Sequence, residues 1–240
     1  MQSPETSQPP VHLERHSLVG QYLRDVVFGA NDGLITTFAT VAGAAGAHLP
    51  TSVVIILGLA NVFADGVSMG LGEYLGSNSE RAYYHGQKNK EEWEVLHEPK
   101  AEEREVQEVF RSWGFTGKAL SNAVNTIKKD QVIWVDFMMK HELGLFDIPK
   151  RQPMVHGAVM FVAFFLAGLL PLTSFFAGAD RAFPFSIFLT ALALFSIGAL
   201  RSLFTPVRWW RGGLEMLIVG GAAGTLAFVV GKTIATLAGI

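Results

Sequence analysis

Apolar positions fall into two blocks. Residues 26–76 and 154–240 are dominated by hydrophobic side chains, and a polar, Glu-rich stretch separates them. Inside the blocks the pattern resolves into runs near the length of about twenty residues that a helix needs to cross a bilayer. These runs lie at 25–48, from Thr51 onward, and at 154–177, 183–204 and 212–238, which predicts five spanning helices. Leu49-Pro50-Thr51 makes a tight link between the first two, with Thr51 or Ser52 placed to cap the second. Pro171, Pro184 and Pro206 mark a bend or ends in the later ones. The second helix is predicted to run on through polar sequence at 81–90 until Glu98-Pro99 breaks it, because proline suits the first turn of a new helix. Helices then follow over 99–113, 118–128 and 130–143. Phe110, Trp113, Phe115, Leu120, Ile127, Ile133, Trp134 and Phe137 supply apolar faces for a small subdomain there. Residues 1–10 are polar and Pro-rich, as disordered segments are, and carry no cleavable leader pattern. Val11, Leu13, Leu18 and Leu23, interleaved with His12, Arg15, His16 and Arg24, predict a short amphipathic helix on the membrane face.

The expected fold class is an all-α membrane protein, with five transmembrane helices and a cytosolic helical metal-binding insert between helices two and three. Its divisions are 1–24 (tail and amphipathic helix), 25–86 (helices one and two), 87–150 (insert) and 151–240 (helices three to five).

Composition agrees. Half of the 240 residues are hydrophobic, and the mean hydropathy is +0.31. A net charge of −2 gives no electrostatic footprint for nucleic acid. The absence of cysteine excludes disulfides, thiolate metal cages and cysteine nucleophiles. The basic residues are placed asymmetrically. Arg15 and Arg24, the insert, and the Arg201, Arg208 and Arg211 group fall on one side of the predicted topology, against Arg181 and Lys232 on the other. The positive-inside rule then makes the N-terminus and insert cytosolic and puts the C-terminus on the far side.

Polar groups inside the apolar runs carry the candidate chemistry. Asn61, Asp65, Met69 and Glu73 recur every fourth residue and so form one stripe on a helix. Asp25 and Asp32, seven residues apart, share a face of the first helix, with Asn31 beside them. Ionisable groups at membrane depth are expensive and commonly line an ion or proton route. Carboxylates and a thioether on one face can pass a divalent metal; the plainer alternative is a packed helix whose polar groups bond to neighbours. Gly29, Gly33, Gly43 and Gly46, Gly66, Gly70, Gly72 and Gly76, and Gly220, Gly221 and Gly224 offer small surfaces for close helix approach.

In the insert, Glu91, Glu94, Glu98, Glu102 and Glu105 keep a spacing of three or four. Pro99 interrupts that face, so two helices are expected to bring their carboxylates together. Glu142, with Met138 and Met139 beside it, can approach from a third. Such a set, with imidazoles from His85, His97 or His141, suits an exchangeable Fe²⁺ or Mn²⁺ site. The alternatives are a solvated charged face for the Glu run and core packing beside Trp134 and Phe137 for the methionines. Glu94-Val-Leu-His97 has the Glu-x-x-His spacing of di-iron bundles, but a second such pair is missing from the sequence. Phosphate-binding loops, nucleophile elbows and zinc-protease motifs are missing too, so no enzyme is expected.

The chain resembles the vacuolar iron transporter family. The likeness is carried by Asp25-Val-Val-Phe-Gly-Ala-Asn-Asp-Gly-Leu-Ile-Thr-Thr-Phe, by Ala64-Asp-Gly-Val-Ser-Met-Gly-Leu-Gly-Glu-Tyr74 and by the Glu-rich insert. It implies a homodimer with a route between subunits, embedded in the lipid of the vacuolar membrane with its C-terminus lumenal. The implied activity is Fe²⁺ movement from cytosol to vacuole in exchange for protons. By the same resemblance Asp32 and Met69 are pathway ligands, and Asp25 and Glu73 fall in matching motifs. Glu91, Glu94, Glu102, Glu105, Glu142, Met138 and Met139 form the cytosolic metal-binding set. Iron enters as substrate, with no permanent cofactor expected, and Mn²⁺, Co²⁺ and Zn²⁺ suit the same ligands. Two competing readings are a membrane-bound di-iron ferroxidase and a Ca²⁺-sensing membrane scaffold.

Overall fold

A computed structural model describes residues 18–146, 152–178, 181–202 and 207–239, the first four by their backbone alone. Most of the expected amphipathic helix, and Pro206, lie outside these residues. All regular structure among them is helical: α1 (Leu18–Gly46), α2 (Thr51–His97), α3 (Pro99–Ser112), α4 (Gly117–Ile127), α5 (Gln131–His141), α6 (Pro153–Leu169), α7 (Thr173–Phe176), α8 (Ala182–Arg201) and α9 (Trp209–Ala238), with a 3₁₀ turn at Leu170–Leu172. Five helical segments are long and apolar enough to span a membrane: Tyr22–Gly46, the apolar part of α2, Pro153–Phe176, Ala182–Arg201 and Trp209–Ala238. The chain is a multi-pass membrane protein. Its many exposed Leu, Ile, Val and Phe side chains on these helices are the lipid-facing surface such a protein requires.

The chain divides into two compact units, and α2 contributes to both. The first unit extends to Gly70 and resumes at His156. In it α1 packs against α8 and α9, and α8 against α9. Lipid tails supply little hydrophobic drive between helices, so close contact depends on small residues that admit a neighbour's backbone. Gly33 faces the backbone of Phe164, Gly46 that of Phe228, and Gly198 and Gly212 face each other's carbonyls. A β-carbon on Gly29 would come within 2.7 Å of the Met160 carbonyl oxygen, and one on Gly70 within 2.9 Å of that of Gly157. Among the described residues nothing lies within 4 Å of a β-carbon at Gly72, Gly76 or Gly221, so these positions of the expected small-residue surfaces meet no neighbour there. Pro171 interrupts the third span as a 3₁₀ turn, and the buried Ser186 hydroxyl donates to its carbonyl at 2.7 Å.

The second unit comprises Leu71 to Val155. Its core is Tyr84, Val95, Val106, Phe110, Val124, Trp134, Val135, Phe137, Met138 and Met139. Pro99, at the start of α3, ends α2 as its missing N–H predicts, and the Glu98 N–H donates to the Glu94 carbonyl at 2.7 Å. Asp130 caps α5 by accepting from the N–H groups of Val132 and Ile133. Of the apolar residues expected inside, Phe110, Trp134 and Phe137 are buried, whereas Trp113, Phe115 and Ile133 are exposed.

Candidate metal sites

The break at Pro99 folds α3 back so that the acidic residues ending α2 face those beginning α3. Glu91 and Glu102 are 2% and 4% exposed, yet each has a buried carboxylate oxygen, Oε2, with no hydrogen-bond partner among the described residues. Glu142 reaches them from the C-terminal end of α5, where its N–H donates to the Met138 carbonyl at 3.0 Å. Carboxylate oxygens of Glu91, Glu102 and Glu142 all lie within 4.8 Å of one another. Burial pushes the Glu102 carboxyl up to about 8, helped by the negative fields of Glu105, Glu91, Glu94 and Glu142. The same causes hold Glu142 near 7, with Lys90 pulling the other way. Glu105 is raised by burial and by Glu94 and Glu108, again opposed by Lys90. Lys90 is a compensating charge, bridged to Glu94 at 3.2 Å. Buried carboxylates that repel one another and leave oxygens bare need protons or a cation. An all-oxygen donor set accepts hard and borderline divalent ions.

Met138 and Met139 are buried in the apolar core of this unit, where thioethers fill irregular gaps. His97 is turned elsewhere: it stacks on Trp93, and its Nδ1 lies 2.8 Å from the Trp93 carbonyl oxygen.

In the first unit, Asp32 on α1 and Asp65 on α2 are both half-buried, and each lies within the other's electrostatic reach. Met69 is half-buried one turn further along α2. The Oδ1 of Asn31 and the Nδ2 of Asn61 are buried without hydrogen-bond partners among the described residues. Bare amide atoms beside two carboxylates give these helices polar, unsatisfied surfaces at membrane depth. Asp25 is 2% exposed and pairs with the Nδ1 of His156. In the second unit, Glu73 accepts a hydrogen bond from the Ser77 hydroxyl at 2.8 Å.

Comparison with known proteins shows the family of the chain. A family model described as the VIT family matches residues 23–232, nearly the whole chain. The chain belongs to the VIT family. Within this family it is 37% identical to a protein of Toxoplasma gondii named vacuolar iron transporter, over 95% of this chain and 80% of that protein. It is 33% identical to vacuolar iron transporter 1 of Arabidopsis thaliana, over 93% and 90%. Against vacuolar iron transporter 2 of Oryza sativa subsp. japonica the identity is 32%, over 94% and 93%.

Two features of this VIT-family chain are missing from the sequence reading, one hidden and one readable. His156 becomes visible only when α6 lies against α1, because its partner Asp25 is 131 positions away in the chain. The one available signal was a lone imidazole in an otherwise apolar run. Lys90 as counter-charge to the acidic cluster was readable from its i,i+4 spacing to Glu94.

Proposed function

We propose that this chain carries Fe²⁺ across a membrane, from the cytosol into a vacuole, in exchange for protons. In this reading Glu91, Glu94, Glu102, Glu105 and Glu142, with Met138 and Met139 behind them, form a cytosolic capture site. Asp32 and Met69, with Asp25 and Glu73, line the route. The observation that carries it is the meeting of the buried Glu91 and Glu102, each with an unpartnered oxygen, with the exposed Glu142. The names of the relatives favour iron as the cargo.

Capture begins with the negative field of the acidic cluster, which raises the local concentration of a dication and speeds its arrival. The ion sheds part of its water and takes up carboxylate oxygens, displacing the protons that burial holds on Glu102 and Glu142. In the membrane it meets the Asp32 and Asp65 carboxylates, whose two charges balance its own, and the softer sulfur of Met69. Their half-burial in one chain leaves an open side that a second copy would close, and we assign the working form as a homodimer. The N-terminus and second unit would be cytosolic and the C-terminus lumenal, following the distribution of basic residues. Iron is substrate here, and the chain acts as a transporter and not as an enzyme. Mn²⁺, Co²⁺ and Zn²⁺ suit the same donors.

Fe²⁺ uptake into proteoliposomes tests the route. Asp32→Ala and Met69→Ala should each reduce uptake to the rate of empty liposomes. Wild-type rates in both variants would reject the assignment.

A further inference from the structure

The Asp25–His156 pair does more than the proposed route asks of Asp25 alone. His156 stands in the first turn of α6 and is 1% exposed. Its Nδ1 contacts the Oδ2 of Asp25 on α1, and the Tyr22 ring lies over the imidazole with centroids 4.8 Å apart. A carboxylate only accepts, so Nδ1 must carry the proton. In the neutral form of the ring that fixes the tautomer, with Nε2 left as a bare lone pair. Nε2 is buried and meets no hydrogen-bond partner among the described residues. For a purely structural histidine this is a poor arrangement, since a buried acceptor without a partner costs about 1–3 kcal/mol. An imidazole whose one nitrogen is held by a carboxylate while the other is free is how proteins orient a metal-binding histidine.

We propose that His156 is a ligand for the travelling ion, binding it through Nε2, with Asp25 as the residue that positions and polarises the ring. This deepens the transport reading and rests on it, because it places a nitrogen donor on the route through the first unit. The chemistry it adds is selection. Oxygen donors such as Asp32 and the glutamates accept Mg²⁺ and Ca²⁺ as well as Fe²⁺. Imidazole favours Fe²⁺, Co²⁺ and Zn²⁺ over those hard ions. One neutral nitrogen among carboxylates discriminates without adding charge, and so without trapping the ion.

The test uses the full-length protein with ¹⁵N-labelled histidine in detergent micelles, with Co²⁺ as probe and His156→Gln to assign the signal. Co²⁺ should perturb the Nε2 resonance of His156 while Nδ1 keeps its proton, and Mg²⁺ at the same concentration should leave both unchanged. Asp25→Asn, whose amide can donate to Nδ1 and drive the proton onto Nε2, should weaken the apparent Fe²⁺ affinity about ten- to a hundredfold. In proteoliposomes His156→Gln should narrow the preference for Fe²⁺ over Mg²⁺ by about tenfold or more. Wild-type Fe²⁺ uptake combined with His156 resonances indifferent to Co²⁺ would overturn the ligand and leave the transport reading standing. A Co²⁺-perturbed His156 in a protein that imports no Fe²⁺ would uphold the ligand and overturn the transport reading.

Discussion

Glu102 shows how a single side chain carries opposite demands. Its carboxyl, held near 8 by burial and by Glu105, Glu91, Glu94 and Glu142, keeps a proton that the unfolded chain has released above its ordinary value of 4.5. Between those pH values the folded state binds more protons than the unfolded one, so metal-free stability must fall as pH rises through the window. Glu102→Gln removes that loss. The metal-free variant should melt higher than wild type at pH 8, by about 2–4 °C for each kcal/mol recovered, and should show no gain at pH 4.5. The same change should weaken Fe²⁺ or Mn²⁺ binding in calorimetry of the full-length protein. Unchanged binding together with an unchanged melting temperature would remove Glu102 from the capture site. Because a divalent ion competes with these protons, affinity should drop as the solution is acidified from pH 8 to 6.

At the level of the helix, glycine position decides what substitution does. Gly33 and Gly198 lie directly on neighbouring backbone, which cannot retreat as a flexible side chain can. Gly33→Ala and Gly198→Ala should each destabilise the protein by about 1–3 kcal/mol, measured by unfolding in detergent. Gly72 and Gly76 meet nothing, so alanine there should be neutral or gain up to about 1 kcal/mol from helix propensity. The sequence could not separate these groups, since each has the spacing of a small-residue face and only the neighbour reveals which face is used. The helices themselves were legible. The ends of α2 and α3 follow from Pro50, Pro99 and Gly114, residues whose backbone chemistry acts locally. So was the pairing of Glu91 with Glu102, because Pro99 forces a reversal between them. The approach of Glu142 was legible only as a possibility, for it depends on how α5 packs through Trp134, Val135 and Phe137. The pairing of His156 with Asp25 was not legible, since a contact spanning 131 positions leaves no periodic trace.

For the whole molecule, the distribution of arginine and lysine predicts sidedness, and the lack of any native cysteine makes the test clean. Single cysteines at the exposed positions Ser121 and Thr236 should react with a membrane-impermeant thiol reagent from opposite sides of sealed vesicles. Labelling of both from one side would overturn the assigned topology. Proton exchange makes a second demand: an imposed gradient, acidic inside, should accelerate Fe²⁺ uptake into liposomes, and collapsing it with a protonophore should return the rate to its basal value. The raised carboxyls of Glu102 and Glu142 have an electrical corollary. A dication that docks at Glu102 and Glu142 near neutral pH evicts hydrogen ions as it arrives, so the cluster's charge rises by less than two. Loading should therefore depend less on ionic strength than docking on a fully ionised cluster would, and its measured heat should change with the ionisation enthalpy of the buffer that collects what is released.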